Sequence, residues 1–222
     1  MNISELNDWL LSEHQQPLII GILNVTPDSF TDGGKFLDHN TAVNHAMDMI
    51  DNGADIIDIG GESTRPFSDP VSEEEELSRV ISVIQKIREK TDIVISIDTT
   101  KSVVAEKACD AGANIINDIS ALSFDHHMID TVNKYDCPII LMHMVGNPKT
   151  MQKSPSYSNI IPQITDHLLS RANFALSSGV KKHNIILDPG IGFGKTVDDN
   201  FTIINNMDKF TKLGYPVLIG AS

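Results

Sequence analysis

The sequence predicts an α/β fold around a parallel sheet, and three observations predict it. Seven short apolar runs recur along the 222 residues, helical stripes separate them, and one strand-bearing segment is repeated. The runs are Leu18 to Leu23, Asp55 to Ile59, Ile93 to Ile97, Asn114 to Ile116, Pro138 to Met142, Asn184 to Leu187 and Pro216 to Ile219. They are rich in isoleucine and apolar at consecutive positions, as strands covered on both faces by helices must be. NGADIIDI from Asn52 is echoed by AGANIINDI from Ala111. Such repetition suits a closed ring of equivalent strand-helix units, with an open doubly wound sheet as the alternative.

The helices emerge from spacing. Val43, Ala46, Met47 and Ile50 fall at i, i+3, i+4 and i+7, with Thr41 as expected N-cap and Gly53 past the end. Ser72 and Glu75 have capping-box spacing ahead of a stripe of Leu77, Val80, Ile81, Ile84 and Ile87. The acids Glu73 to Glu76 then suit the first helical turn, whose free N–H groups favour negative charge, better than a metal site. A third helix spans Ser102 to Ala111 and closes at Gly112, and a weaker fourth lies near Asp125 to Tyr135. Ile161, Ile164, Leu168, Ala172 and Ala175 mark a fifth, with Pro162 tolerated in its first turn and Gly179 at its end. Phe201, Ile204, Met207, Phe210 and Leu213 mark a sixth before Gly214.

Composition narrows the function classes. With 17 Lys and Arg against 30 Asp and Glu the net charge is −13, so the average surface repels nucleic acid and anionic lipid. An anionic substrate therefore needs a local cluster of donors or a metal. A chain of this size removes roughly 70% of its unfolded surface from water, enough for a single domain over residues 1–222 without staples. Cys109 and Cys137 fit no zinc spacing and no disulfide framework, which points to a reducing cytoplasm and two small buried side chains. The N-terminal segment has no basic n-region and carries acids within its apolar stretch, unlike a signal peptide.

The polar residue that closes each apolar run is more informative. Asn24, Asp58, Asp98, Asn117 with Asp118, His143, Asp188 and Ser222 each stand where a strand should reach its C-terminal end. In a parallel barrel those ends share one face. A single Asx there only caps a turn, but seven such positions are hard to satisfy without a ligand or water. The set holds carboxylates and carboxamides, with no Ser or Cys nucleophile beside a histidine base and no metal-binding histidine triplet. Carboxylates such as Asp98 and Asp188 accept paired hydrogen bonds and so match a planar heterocycle with adjacent N–H donors, while Asn117 can meet a donor and an acceptor together.

Two long βα loops carry Thr26, Phe30, Thr64 and Arg65, and loops of that length on a barrel usually carry function. DPGIGFGKT, from Asp188, is not a Walker A loop, because Pro189 stands where glycine is required, and GxGxxG fails at Lys195. It is expected to be a flexible loop that places Phe193 over the site. His126 and His127 are expected at the surface, His143 as a hydrogen-bonded wall, and Met142 and Met144 as core or wall.

GILNVTPDSFTDGG, DIIDIGGESTRP, ISIDTTK, GANIINDIS, LMHMVGNPKTMQ and ILDPGIGFGK, in this order and spacing, resemble dihydropteroate synthase, the folate-pathway enzyme that sulfonamides inhibit. The likeness runs from Ile19 to Ser222. It implies a TIM (β/α)8-type barrel that joins p-aminobenzoate to 6-hydroxymethyl-7,8-dihydropterin diphosphate, releases pyrophosphate and uses Mg²⁺. It implies pterin binding by Asp98, Asn117, Asp188 and Met142, and Mg²⁺ ligation by Asn24. Diphosphate or p-aminobenzoate would be met by Thr64, Arg65, Pro66, Phe30, Phe193 and Ser222. No residue is expected as nucleophile or strong base.

The family continues past the seventh strand into Arg-Lys, two helices and an eighth strand ending in Arg-x-His, whereas this sequence stops at Ser222. The expectation is a truncated barrel with about seven of eight strands, unstable and nearly inactive alone. The family's homodimer is expected for a full-length chain. A non-catalytic pterin-binding remnant and a corrinoid-dependent pterin methyltransferase are the alternative functions.

Overall fold

The computed structural model describes residues 1–26, 39–65, 68–152 and 155–220. They fall into two units, Met1–Ser63 with Pro70–Asn117, and Thr64–Asp69 with Asp118–Ser222.

The first unit holds α1 (Ile3–Leu11), β1 (Ile20–Asn24), α2 (His39–Asp51), β2 (Ile56–Gly60), α3 (Glu73–Arg88), β3 (Val94–Asp98), α4 (Ser102–Ala111) and β4 (Ile115–Asp118), whose last residue begins the second unit. All its strand pairs are parallel, β1 to β2, β2 to β3 and β3 to β4. A doubly wound sheet reverses strand order at a switch point, and this ladder does not. The fold class is therefore α/β of the incomplete (β/α)8 kind.

Ile57, Ile59, Ile95, Ile97, Ile115 and Ile116 are fully buried, as continuous apolar strands require. β1 departs from that pattern, since Ile22 is 50% exposed. Strand β1 has a ladder on one side only among the described residues, and one of its faces stays open to water. Arg88, at the end of α3, ties the segments that lead into β3 and β4: it donates to the carbonyls of Thr91, Ile93 and Gly112 and to Asn114 Oδ1 at 2.7 to 3.1 Å.

Local signals mostly act as read. Ser72 caps α3 by accepting from Glu75 N, but the box is left half made because the Glu75 carboxylate turns to Arg79 one turn on. Gly112 closes α4 with φ +114°, a left-handed conformation that favours glycine. Thr41 lies inside α2, which already begins at His39, so it is no cap. Helix α1 was not anticipated. Asn2 and Glu5 form a full capping box, Leu6 and Leu10 bury its apolar face, and the Met1 carbonyl accepts from Val94 N at 2.9 Å.

The second unit holds α5 (Met128–Tyr135), β5 (Ile139–Met142), α6 (Ile160–Ser177), a 3-10 turn at Lys182–Asn184, β6 (Ile185–Asp188), α7 (Val197–Asn205) and α8 (Met207–Thr211). β5 and β6 pair in parallel. Helix α6 buries Ile160, Ile164, Leu168, Ala172 and Ala175, so Ile160 takes the place expected of Ile161.

Two expectations need correction. Pro216 to Ile219 is no strand but a single parallel bridge, Val217 to Leu187, closed by two backbone hydrogen bonds. Six strands therefore stand among the described residues where seven were expected. The expected sixth helix is two, parted at Asn206, and it buries Ile203 and Phe210 while Phe201 and Ile204 face solvent. Cys109 and Cys137 are free thiols, but only Cys137 is buried as expected while Cys109 is half-buried, and His126 and His127 lie exposed before α5. No helix among the described residues is long and apolar enough to cross a membrane.

Candidate functional site

In the first unit the parallel register sets Asn24, Gly60, Asp98 and Asn117 side by side across four strands. Side chains alternate along a strand, so the row two residues earlier, Ile22, Asp58, Ser96 and Ile115, lies on the same face one layer down. Gly60 leaves room in the upper row. A Cβ built there would sit 3.5 Å from Asp98 Oδ2 and 3.6 Å from Asn24 Oδ1, so those two polar groups converge above it. Asn117 Nδ2 donates to Asp58 Oδ2 at 3.1 Å. Asp58 is 8% exposed, and burial raises its pKa against the opposing pull of its polar neighbours Ser96 and Asn117. β2 runs on to Gly60, so Asp58 lies one layer beneath the strand end that its place in the sequence suggested.

Asp118 turns away from this row. It is the next residue after Asn117 and so points to the opposite side, where its carboxylate accepts from Ser120 N, Ser120 Oγ and Leu122 N at 2.7 to 2.8 Å. It is an ordinary turn cap, buried with its pKa raised by desolvation.

The loop leaving β2 is held by charge. Lys101 Nζ bonds Glu62 and also Glu76 Oε2, the latter at 2.5 Å. Burial works against the ammonium, yet the two carboxylates overcome it and raise the Lys101 pKa. Glu76 has no exposed surface, and burial raises its pKa against that lysine. Arg79 donates to the Gly61 carbonyl at 2.5 Å. A Cβ on Gly61 would come within 2.8 Å of Val80 Cγ1 and 3.0 Å of Glu76 Cγ. Of the paired glycines, Gly60 clears the polar row and Gly61 lets α3 approach.

In the second unit, Met142 and Asp188 are register partners at the ends of β5 and β6. Both are buried. Gly190 N donates to Asp188 Oδ1 at 2.7 Å, and His143 N to the Asp188 carbonyl at 2.9 Å. Lys195, only 3% exposed, points its ammonium into carbonyl oxygens: Gly190 at 2.6 Å, Phe193 at 2.9 Å and His143 at 3.2 Å, with His143 Nδ1 also at 3.2 Å. Burial pushes the Lys195 pKa down to about 7, and burial, with Lys195 and His167 adding to it, pushes His143 down to about 3. His143 is thus held neutral, buried and hydrogen-bonded to Lys195.

The loop 190–194 is not the flexible element that its glycines suggested. Lys195 ties it from within, Tyr157 Oη and Gln152 Nε2 donate to the carbonyls of Gly194 and Gly192, and Asn200 Oδ1 accepts from Gly192 N. Phe193 is half-buried on this loop. Thr64 is half-exposed, and exposed Arg65 anchors its carbonyl to Ser68. Phe30, Pro66 and Ser222 lie outside the described residues.

The sequence places Asp58 among the strand-end residues without a role of its own, and it assigns none to Lys195 or to the Glu62–Lys101–Glu76 group. One signal existed for Lys195, a lone cation in a segment otherwise apolar and glycine-rich. No group of three or more His, Cys, Asp or Glu able to hold a metal occurs among the described residues. What the first unit offers a cation is an amide oxygen, from Asn24, beside a carboxylate.

Comparison with known proteins leads in the same direction. A family profile described as "Pterin binding enzyme" matches residues 20–222. The chain is 52% identical over 208 residues to a dihydropteroate synthase of Clostridium beijerinckii, covering 94% of this chain and 75% of that protein. It is similar to the crystal structure of Yersinia pestis dihydropteroate synthase in a sulfonamide complex, with TM-score 0.88 at 40% identity over 93% of this chain and 75% of that one. The Xanthomonas albilineans dihydropteroate synthase with 4-aminobenzoic acid gives TM-score 0.87 at 40% identity, over 93% and 73%.

Proposed function

We infer, from the premise that this chain belongs to the pterin-binding enzyme family, that its activity is that of a dihydropteroate synthase. It condenses 6-hydroxymethyl-7,8-dihydropterin diphosphate with p-aminobenzoate to give 7,8-dihydropteroate and pyrophosphate. The observation that carries the reading is the polar row of the first unit, where Asp98 and Asn24 converge over a glycine and Asn117 stands beside them. That row suits the N–H edge of a flat heterocycle and holds no serine, cysteine or histidine.

The chemistry asks little of side chains. The amine nitrogen of p-aminobenzoate forms the new bond to the pterin methylene carbon, the bond from that carbon to the diphosphate oxygen breaks, and the amine loses a proton. The protein's part is to hold two rings in line and to exclude competing water. We assign Asp98 and Asn117 to the pterin, and give Asp188 and Met142 the same ligand on the strength of the family likeness. Gly190 N, bonded to Asp188 Oδ1, holds that carboxylate in place. Thr64, Arg65, Pro66, Phe30, Phe193 and Ser222 are proposed for the diphosphate and p-aminobenzoate.

Asn24 would hold Mg²⁺ brought with the diphosphate. A magnesium ion that keeps its waters and substrate oxygens needs only one or two protein oxygens, so this donor set fits. When bound, the ion neutralises charge on the departing pyrophosphate. The proposal further includes sulfonamide competition with p-aminobenzoate, a cytoplasmic location and, for a full-length chain, a homodimer.

Calorimetric titration tests the reading. Pterin diphosphate should bind more tightly with Mg²⁺ and then create a site for p-aminobenzoate. Ring binding with no second site would instead describe a non-catalytic remnant, and absence of ring binding would end the proposal. A corrinoid-dependent methyltransferase has no use for the GESTRP, TPDSF and GFGK loops together, and is not favoured.

A further inference from the structure

Beneath the row of Asn24, Gly60, Asp98 and Asn117 lies a polar pair that the proposed chemistry does not use. Asp58 and Ser96 are register neighbours on β2 and β3, one layer down, with exposures of 8% and 0%. Ser96 stands close enough to Asp58 to oppose the rise in its pKa, yet among the described residues neither Asp58 Oδ1 nor Ser96 Oγ completes a hydrogen bond of good geometry, although both atoms are sealed from solvent. Unsatisfied polar atoms are costly in a core, so their presence calls for a reason. The other Asp58 oxygen is used, and it accepts from Asn117 Nδ2 at 3.1 Å.

That bond fixes an ambiguity. A carboxamide can present oxygen or NH₂ in either direction, and only its partners decide which. A carboxylate accepts and cannot donate, so Asp58 forces Nδ2 of Asn117 toward itself and leaves Oδ1 for whatever lies in the upper row. We propose that Asp58 is a positioning residue that sets the hydrogen-bond polarity of Asn117, and that it thereby selects ring ligands with an N–H donor at that point. The inference rests on the reading of Asn117 as a ring-binding group. The Asn117 donor favours the carboxylate form of Asp58 and so opposes the rise in pKa that burial imposes. Gly60, directly above Asp58 on the same strand face, keeps the layer between them clear of side chain.

The decisive variant is Asp58→Asn, which preserves shape but can accept from Asn117 or donate to it, so the amide loses its fixed direction. The probe is pterin diphosphate with Mg²⁺, its Kd measured calorimetrically on this chain. Loss of one oriented hydrogen bond should weaken binding roughly tenfold while the unfolding midpoint stays near that of the parent chain. Asn117→Ala is measured beside it. If Asn117→Ala leaves Kd unchanged, the ring-binding reading fails; if Asn117→Ala weakens binding and Asp58→Asn stays within twofold of the parent chain, only the positioning role fails. A measurement on the unaltered chain covers the case in which Asp58→Asn does not fold. The Asn117 side-chain amide, followed by ¹H–¹⁵N NMR, should show one proton protected from exchange before and after the ligand is added. Two freely exchanging protons would overturn the inference.

Discussion

Gly190 and Gly192 belong to one loop and both have positive φ, +67° and +84°, yet substitution by alanine should affect them very differently. At Gly192 a Cβ would meet nothing within 4 Å. The cost of Gly192→Ala is then only that of an L residue in the left-handed region, about 1–2 kcal/mol. At Gly190 a Cβ would lie 2.1 Å from the His143 carbonyl oxygen, and 3.1 Å from Met142 Cγ. The first atom is backbone and cannot rotate away. The same oxygen accepts from Lys195, and the His143 amide is bonded to the Asp188 carbonyl. Relieving the clash means pulling this knot apart, so Gly190→Ala should cost about 2–3 kcal/mol beyond its conformational strain, in the range of core overpacking. With a urea m-value of about 1–3 kcal/mol per molar, the two variants should differ by about 0.7–3 M in unfolding midpoint. Pterin diphosphate affinity should fall for Gly190→Ala and hold for Gly192→Ala, because Gly190 N also positions Asp188. Equal midpoints for the two variants would refute the close approach of the two backbones.

The Glu62–Lys101–Glu76 group predicts a second outcome. Lys101→Met strands a carboxylate with no solvent access and should cost about 3–5 kcal/mol, whereas Lys101→Met with Glu76→Leu should recover most of that loss; denaturant unfolding of both variants checks it. His143 supplies a pH prediction. Its folded-state pKa of about 3 lies below the ordinary 6.5, so between these values the unfolded chain binds the extra proton. This group's contribution is therefore complete above pH 6.5 and is lost as pH falls toward 3, by about 1.4 kcal/mol per pH unit. Asp58, Asp118 and Glu76, with raised values, slope the other way, so the His143 imidazole signals are the measurement to track. They should report a neutral ring at pH 5, and a titration midpoint near 6.5 would contradict the burial.

Much of this molecule could be read from its residues one at a time. Six strands emerged close to their observed bounds, because a strand covered on both faces tolerates almost nothing polar before its end. The helix stop at Gly112 was equally plain, since a left-handed residue there favours glycine. Other features depended on partners that a one-dimensional pattern does not contain. Pro216 to Ile219 has the composition of a strand, but a ladder needs a matching edge, and only Val217 found one. The stripe of Phe201 and Ile204 has helical period, yet periodicity shows that a helix has two faces and not which one is covered, and Ile203 went inward instead. Helix α1 could have been recognised by the Asn2–Glu5 capping box, a signal only three residues long.

The chemical inventory was set by sequence alone: carboxylates and amides at strand ends, and loops rich in glycine. Those properties are local, belonging to residue types and their spacing. Tertiary structure decided which of them act together. Register placed Asp98 and Asn117 in one row and Asp58 a layer below, strand alternation turned Asp118 to the opposite side, and burial converted Lys195 from an apparent loop cation into an internal tie. A hydrogen bond's direction and a charge's desolvation depend on atoms contributed by distant segments, and folding alone brings those segments within reach.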